Sequence, residues 1–83
     1  MNRDHVLFHL REAQEAVTAI VLKMDAQLDY DYGAFFPDMQ HLYHHLNTAW
    51  NARDVPSTRV EAATDSDFNS WSQFPPDLPM MEV

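Results

Sequence analysis

The sequence predicts an all-α protein: an antiparallel two-helix hairpin with a C-terminal tail that folds back on it. Three observations predict this fold. Apolar residues recur three and four positions apart over two long segments, as they do on amphipathic helices. The segments are separated by a short turn that holds the one glycine, Gly33, and a short connection makes neighbouring helices antiparallel. The helical spacing then ends after Pro56.

The first helix is predicted over residues 3–28. Asn2 suits its N-cap, and Asp4 suits the positive end of the helix dipole. Its regularly spaced apolar residues are Val6, Leu10, Ala13, Val17, Ile20, Met24 and Leu28. A second set, Leu7, Phe8, Val21 and Leu22, makes the apolar face wider than one neighbouring helix can cover. This helix therefore needs two packing partners.

Self-association would supply the second partner. A domain of 83 residues buries too little surface for a large core of its own, and a chain without cysteine has no disulfide to reinforce it. We expect a two-fold homodimer, with Leu7, Phe8, Leu22 or their neighbours contributing to a four-helix bundle.

The second helix is predicted to begin at about Asp31 or Phe36 and to end at about residue 52. Pro37 causes this ambiguity, because proline fits best in or near the first turn of a helix. The apolar series that defines the helix comprises Phe35, Met39, Leu42, Leu46, Ala49 and Trp50.

The remaining segment belongs to the same single domain, which spans residues 1–83. Residues 57–63 fit either a helical turn or an extended strap. Residues 65–72 resemble a capped short helix, with Phe68 and Trp71 three positions apart on one side. The proline-rich residues 75–83 are expected to be extended or disordered.

Composition narrows the function classes. The net charge is −8 with only five basic residues, which argues against a nucleic-acid partner. The longest apolar run is too short to cross a membrane, and the absence of cysteine suits a cytoplasmic protein. A single glycine excludes phosphate-cradling loops and a nucleophile elbow. We therefore expect a non-enzymatic protein without a cofactor.

The alternative to that expectation is a metal site. Asp38, His41 and His45 are spaced i, i+3 and i+7, so their side chains share a helix face and would suit zinc or another divalent transition metal. The same positions also fit a solvated flank of the helix. A second pair, His5 and His9, would lie beside the carboxyl end of the second helix, where the dipole favours protonated histidine.

A polar and aromatic face on the second helix is the candidate interaction surface. Tyr43, Asn47, Trp50 and Asn51 lie within about 100° of one another on the helix. With Arg53, Phe68 and Trp71 they have the composition of a binding hot spot. The other interpretation, which we favour, is internal: the two asparagines would bind the backbone of the tail, while aromatic residues of the tail pack on Tyr43 and Trp50.

One sequence resemblance accompanies these patterns. The segments 1–5 and 41–54 resemble small bacterial proteins of unknown function, of the kind seen in cyanobacterial genomes. The resemblance implies no activity. The function that the sequence favours is a protein-interaction or regulatory module that forms a homodimer or binds another protein.

Overall fold

A computed structural model describes residues 1–82 and contains four α-helices in that range. They are α1 (Arg3–Ala26), α2 (Tyr32–Asn51), α3 (Ser57–Glu61) and α4 (Asp65–Trp71). The helices α1 and α2 form a long antiparallel hairpin, and the short helices after it pack on α2. The predicted all-α hairpin with a returning tail is confirmed. Residue 83, the end of the segment predicted to be extended or disordered, lies outside the described residues.

The start of α1 is as predicted, and its end is not. Asn2 Oδ1 caps the helix by accepting a hydrogen bond from His5 N at 3.2 Å. The helix ends at Ala26, two residues before the predicted end. Gln27 has an extended backbone, and its carbonyl accepts a hydrogen bond from Tyr30 N at 3.1 Å. This turn places Leu28 outside the helix.

The helix α2 begins at Tyr32, the earlier of the two predicted starts. Asp31 is its N-cap, and the Asp31 carboxylate accepts a hydrogen bond from Ala34 N at 3.1 Å. Pro37 is therefore the sixth residue of the helix, near the first turn as predicted but not within it. A proline there removes only the hydrogen bond to the carbonyl of Gly33, which lies at the exposed first turn.

The core between α1 and α2 is narrow. Three residues form its buried cluster: Ala13, Ile20 and Leu42. Alanines on both helices, with Ala49 also buried, allow the helix axes to approach closely. Near the turn, Tyr30 Oη and Lys23 Nζ both donate hydrogen bonds to Asp38 Oδ2, at 2.7 and 3.0 Å. These bonds join α1, the turn and α2.

The tail, residues 55–82, begins next to the amino terminus. Asn2 Nδ2 donates a hydrogen bond to the Val55 carbonyl at 2.9 Å, and Asn2 N donates one to the Arg53 carbonyl at 2.7 Å. Residues 57–61 are helical, which decides between the two alternatives for this segment. Thr64 and Asp67 form a capping box that starts α4. The tail thus leaves α2 through two short helices.

The isolated chain is more open than a compact domain of its size. Its radius of gyration is 14.7 Å, against about 12 Å expected for this length. Its accessible surface is 6404 Å², which exceeds by about 1,300 Å² the area expected for a folded monomer of this mass. Much apolar surface is left without a partner in the chain.

Candidate functional site

The two predicted asparagine anchors hold the tail. Asn47 Nδ2 donates a hydrogen bond to the Ser72 carbonyl at 2.9 Å. Asn51 Nδ2 donates to the carbonyls of Trp71 and Gln73, at 2.8 and 2.7 Å. Because these carbonyls belong to the last residue of α4 and to the segment that follows it, both amides are used within the chain. The internal interpretation of Asn47 and Asn51 is confirmed.

The aromatic contacts of the tail are only partly those expected. Phe74 packs edge-on against Tyr43, with 5.2 Å between ring centroids. Trp71 instead lies near His5 of α1, at 6.5 Å, and contacts its neighbour Phe68 at 5.9 Å. The prediction that Phe68 and Trp71 pack on Tyr43 and Trp50 is corrected, because Trp71 lies towards His5 while Phe74 takes the position against Tyr43.

Trp50 and Arg53 bind the end of the tail. Trp50 Nε1 donates a hydrogen bond to Asp77 Oδ1 at 2.9 Å, and Arg53 Nη2 lies 3.4 Å from Asp77 Oδ2. The Arg53 guanidinium also stacks over the Trp50 ring, 4.0 Å from its centroid. The Trp50 hydrogen bond, with smaller contributions from a backbone hydrogen bond and then from Arg53, lowers the pKa of Asp77. Both predicted interaction residues therefore have partners inside the chain.

The five histidines form one cluster where α1 meets α2. His9 lies at its centre: its Nδ1 is 3.0 Å from His45 Nδ1, and its Nε2 is 3.2 Å from His5 Nε2. The rings of His41 and His44 lie edge-on to that of His45, at 4.7 and 5.1 Å. Each contact between two imidazole nitrogens needs one N–H and one lone pair, so the geometry suits neutral rings.

Burial and mutual repulsion disfavour protonation of this cluster. Burial, and then the positive charge that His5, His45 and His44 can carry, lowers the pKa of His9 to about 4. Burial also lowers the pKa of His45, with smaller contributions from His41 and His44 and an opposing one from Glu12. The expectation that the helix dipole would keep His9 protonated was wrong, since burial outweighs the dipole.

The three predicted metal ligands have other partners. Asp38 is bonded to Tyr30 and Lys23, which lower the pKa of its carboxyl. His41 and His45 lie edge to face. Among residues 1–82, no group of three or more histidine, cysteine, aspartate or glutamate side chains is placed to hold a metal ion. Metal binding by Asp38, His41 and His45 stays a prediction.

On the other long side of the hairpin, α1 carries an exposed apolar row. Its residues follow a spacing of three and four, which is the heptad pattern of a helix that packs against another helix. We call this set the open row: Leu7, Leu10, Gln14, Val17, Val21 and Met24. The exposed fractions of its five apolar residues range from 40% to 52%.

The open row lies beside the hairpin seam. Ala13 and Ile20, which face α2, are buried, and the row is centred about 80° around α1 from them. Leu42 and Leu46 of α2 line the same groove as Leu10 and Val17, with a volume of about 500 Å³. This angle is the one at which a helix in a four-helix bundle meets its second neighbour.

Sequence reasoning missed two features of this arrangement. It treated Leu10, Val17 and Met24 as one stripe with Ala13 and Ile20, whereas α2 covers only the latter pair. The covered and the exposed residues occupy different heptad positions of α1, and assigning those positions from the sequence would have distinguished them. It also missed Asn2 as the residue that ties the amino terminus to Val55; no signal in the sequence points to that contact.

Comparisons of the chain with known proteins found no matching family model, no similar curated protein and no similar solved structure. The resemblance to small bacterial proteins of unknown function therefore stays a prediction. Across residues 1–82, none of the helices combines the length and the apolar character needed to cross a bilayer.

Proposed function

We propose that this protein is a non-enzymatic interaction module whose binding surface is the open row of α1 together with the adjoining apolar residues of α2. The observation that carries the proposal is the regular spacing of exposed apolar side chains along α1. Scattered surface apolar residues need no explanation, but a continuous strip of them marks an interaction site.

The adjoining residues of α2 extend this surface. Phe36, Met39, Tyr43 and Leu46 repeat the three-and-four spacing along α2, and three of the four are exposed. A cleft of about 610 Å³ continues the surface towards the tail, between Leu10, Leu46 and Leu78. A helical segment laid along the hairpin would contact all of these residues at once. Helix-in-groove binding is thus the mode that fits best.

The polar face of α2 is a weaker candidate for binding. Its two asparagine amides are hydrogen-bonded to the tail backbone, and Trp50 and Arg53 bind Asp77. A partner at this face would first have to displace the tail and leave these groups unpaired, at about 1–3 kcal/mol for each buried group. The open row requires no such displacement.

Site-specific photo-crosslinking tests the proposal. p-Benzoylphenylalanine is placed at Val17 in the open row or, as the control, at Leu22, which is 62% exposed but lies outside the row. We expect adducts heavier than the 9.7 kDa chain from the Val17 position and not from Leu22. Equal adduct yields at both positions, or none at Val17, would contradict the proposal.

A further inference from the structure

We infer that the occupant of the open row is a second copy of this chain, with the two α1 helices antiparallel across a two-fold axis near residue 19. This inference rests on the proposed function and names the partner of the same surface. Its supports are the area left exposed, the match of the row with its own reverse, and the charges along its edge.

The area supports a partner of about this size. The chain exposes about 1,300 Å² more than a monomer of its mass normally does. A stable interface buries about 800 Å² on each partner. One copy bound along the hairpin would therefore remove most of the excess.

The open row is complementary to itself when two copies of α1 run antiparallel. When Leu10 of one copy faces Leu28 of the second, Gln14 faces Met24 and Val17 faces Val21. The two-fold axis repeats each pairing, so six layers form along the helices. Leu28 follows the end of α1 and is fully exposed in the single chain. In this register it enters the groove between Leu10 and Leu46 of the other copy.

The charges at the edge of the row select this register. Arg11 and Asp25 occupy equivalent heptad positions on that edge, and both are exposed. Within residues 1–82 neither has an ion-pair partner. The register places Arg11 of each copy beside Asp25 of the other. Sliding the helices by one heptad would instead bring Asp4 opposite Asp25, two carboxylates that repel.

The same symmetry brings the α2 helices together. All four helices are then antiparallel to their neighbours in the ring, which is a common arrangement in four-helix bundles. Phe36 and Met39 lie near the two-fold axis on α2, so they would form the second seam. Phe8 and Leu22 project about 110–150° away from the α1 seam and remain at the surface of the dimer. Among the residues predicted for the interface, Leu7 alone belongs to the open row.

Sedimentation equilibrium of the full chain tests this inference, at concentrations up to about 100 µM because self-association depends on concentration. We expect a species of twice 9.7 kDa. Val21→Glu should give a folded 9.7 kDa monomer, whereas the adjacent Leu22→Glu should leave the dimer intact. A wild-type monomer, or equal dissociation by both variants, would overturn the inference.

Exchange of the two charges tests the register. Arg11 and Asp25 are exposed, so their substitution should leave the fold of the chain intact. Arg11→Asp and Asp25→Arg should each raise the dissociation constant about tenfold, because each creates two like-charge pairs. The double variant should restore wild-type affinity. Additive losses in the double variant would overturn the antiparallel register. A monomer that still gives Val17 crosslinks to another protein would refute the second copy alone; a monomer without crosslinks would refute the proposed function as well.

Discussion

The two long sides of the hairpin are covered in different ways. On one side the tail lies across α2, held by directional hydrogen bonds from Asn47 and Asn51 to backbone carbonyls. Along the adjoining α1 side Leu10 and Val17 are exposed and have no polar anchor. Directional bonds specify one segment in one position, while an apolar row needs only a complementary helix. The polar groups of the tail side are therefore used within the chain, and we propose the open row as the side available for binding.

Removal of the tail should destabilise the protein more than any single substitution in it. A chain that ends at Asp54 loses the partners of both asparagines, of which Asn47 is only 6% exposed. Unpaired buried polar groups cost about 1–3 kcal/mol each, so we expect a loss of more than about 3 kcal/mol in the free energy of unfolding. Urea denaturation measures it. A control chain that lacks only residues 79–83 should keep wild-type stability, and equal stability of all three chains would show that the tail is an appendage.

A single substitution on α2 measures how much one asparagine anchor contributes to stability. Asn51→Ala removes two hydrogen bonds to the tail, and we expect it to lower the free energy of unfolding by about 1–3 kcal/mol. Gln40→Ala is the matched control, since Gln40 is an exposed amide on the same helix and should change stability by less than about 0.5 kcal/mol. Sedimentation should find both variants as associated as the wild type. A selective loss of association in Asn51→Ala would make the tail side part of the interface.

The histidine cluster makes a prediction about pH. The pKa of His9 is about 4 in the folded chain and 6.5 for an unperturbed histidine, so between these values the unfolded chain binds more protons. The free energy of unfolding is therefore highest above about pH 6.5 and falls as the pH decreases towards 4. At fixed protein concentration, the urea midpoint should decrease as the pH is lowered through this window. His9→Gln, which does not titrate, should flatten the decrease, and an unchanged slope would show that His9 is not its source.

The smallest expected effect concerns the tail itself. Arg59 Nη2 donates a hydrogen bond to Asp67 Oδ1 at 2.7 Å, and this contact lowers the pKa of the Asp67 carboxyl. The pair is near the surface, where ion pairs contribute little, so Arg59→Ala should change the free energy of unfolding by less than about 1 kcal/mol. A larger loss in urea denaturation would mean that α3 and α4 support the fold more than the asparagine anchors do.

The helices could be predicted from the sequence because their signals are local. The Asn2 cap, the short break between the helices and the apolar spacing within each helix all act over a few residues along the chain. Gly33 was predicted to lie in that break but is the second residue of α2. The end of α1 was two residues off because the turn after Ala26 competes with the helix for the same backbone groups. Boundaries are where such competition is closest.

The candidate site was less predictable because its contacts join distant parts of the chain. His9 meets His45 and Trp71 meets His5 only after α1, α2 and α4 have packed. Asp38 appeared free to bind a metal until the fold placed Lys23 beside it. The asparagine anchors were predictable in kind, since amides in a helix need partners, but their carbonyl partners depend on the path of the tail.

A single distance between the two copies of α1 would show whether a second copy packs on the open row. The chain has no cysteine, so Asp4→Cys gives a single attachment point for a spin label at the start of α1. In the antiparallel dimer the two labels lie about 45 Å apart, given about 1.5 Å of rise per residue. We predict a dipolar distance distribution centred near that value. A parallel pairing of α1 would give less than about 20 Å with axes 8–10 Å apart, and either that short distance or no intermolecular distance at all would contradict the account.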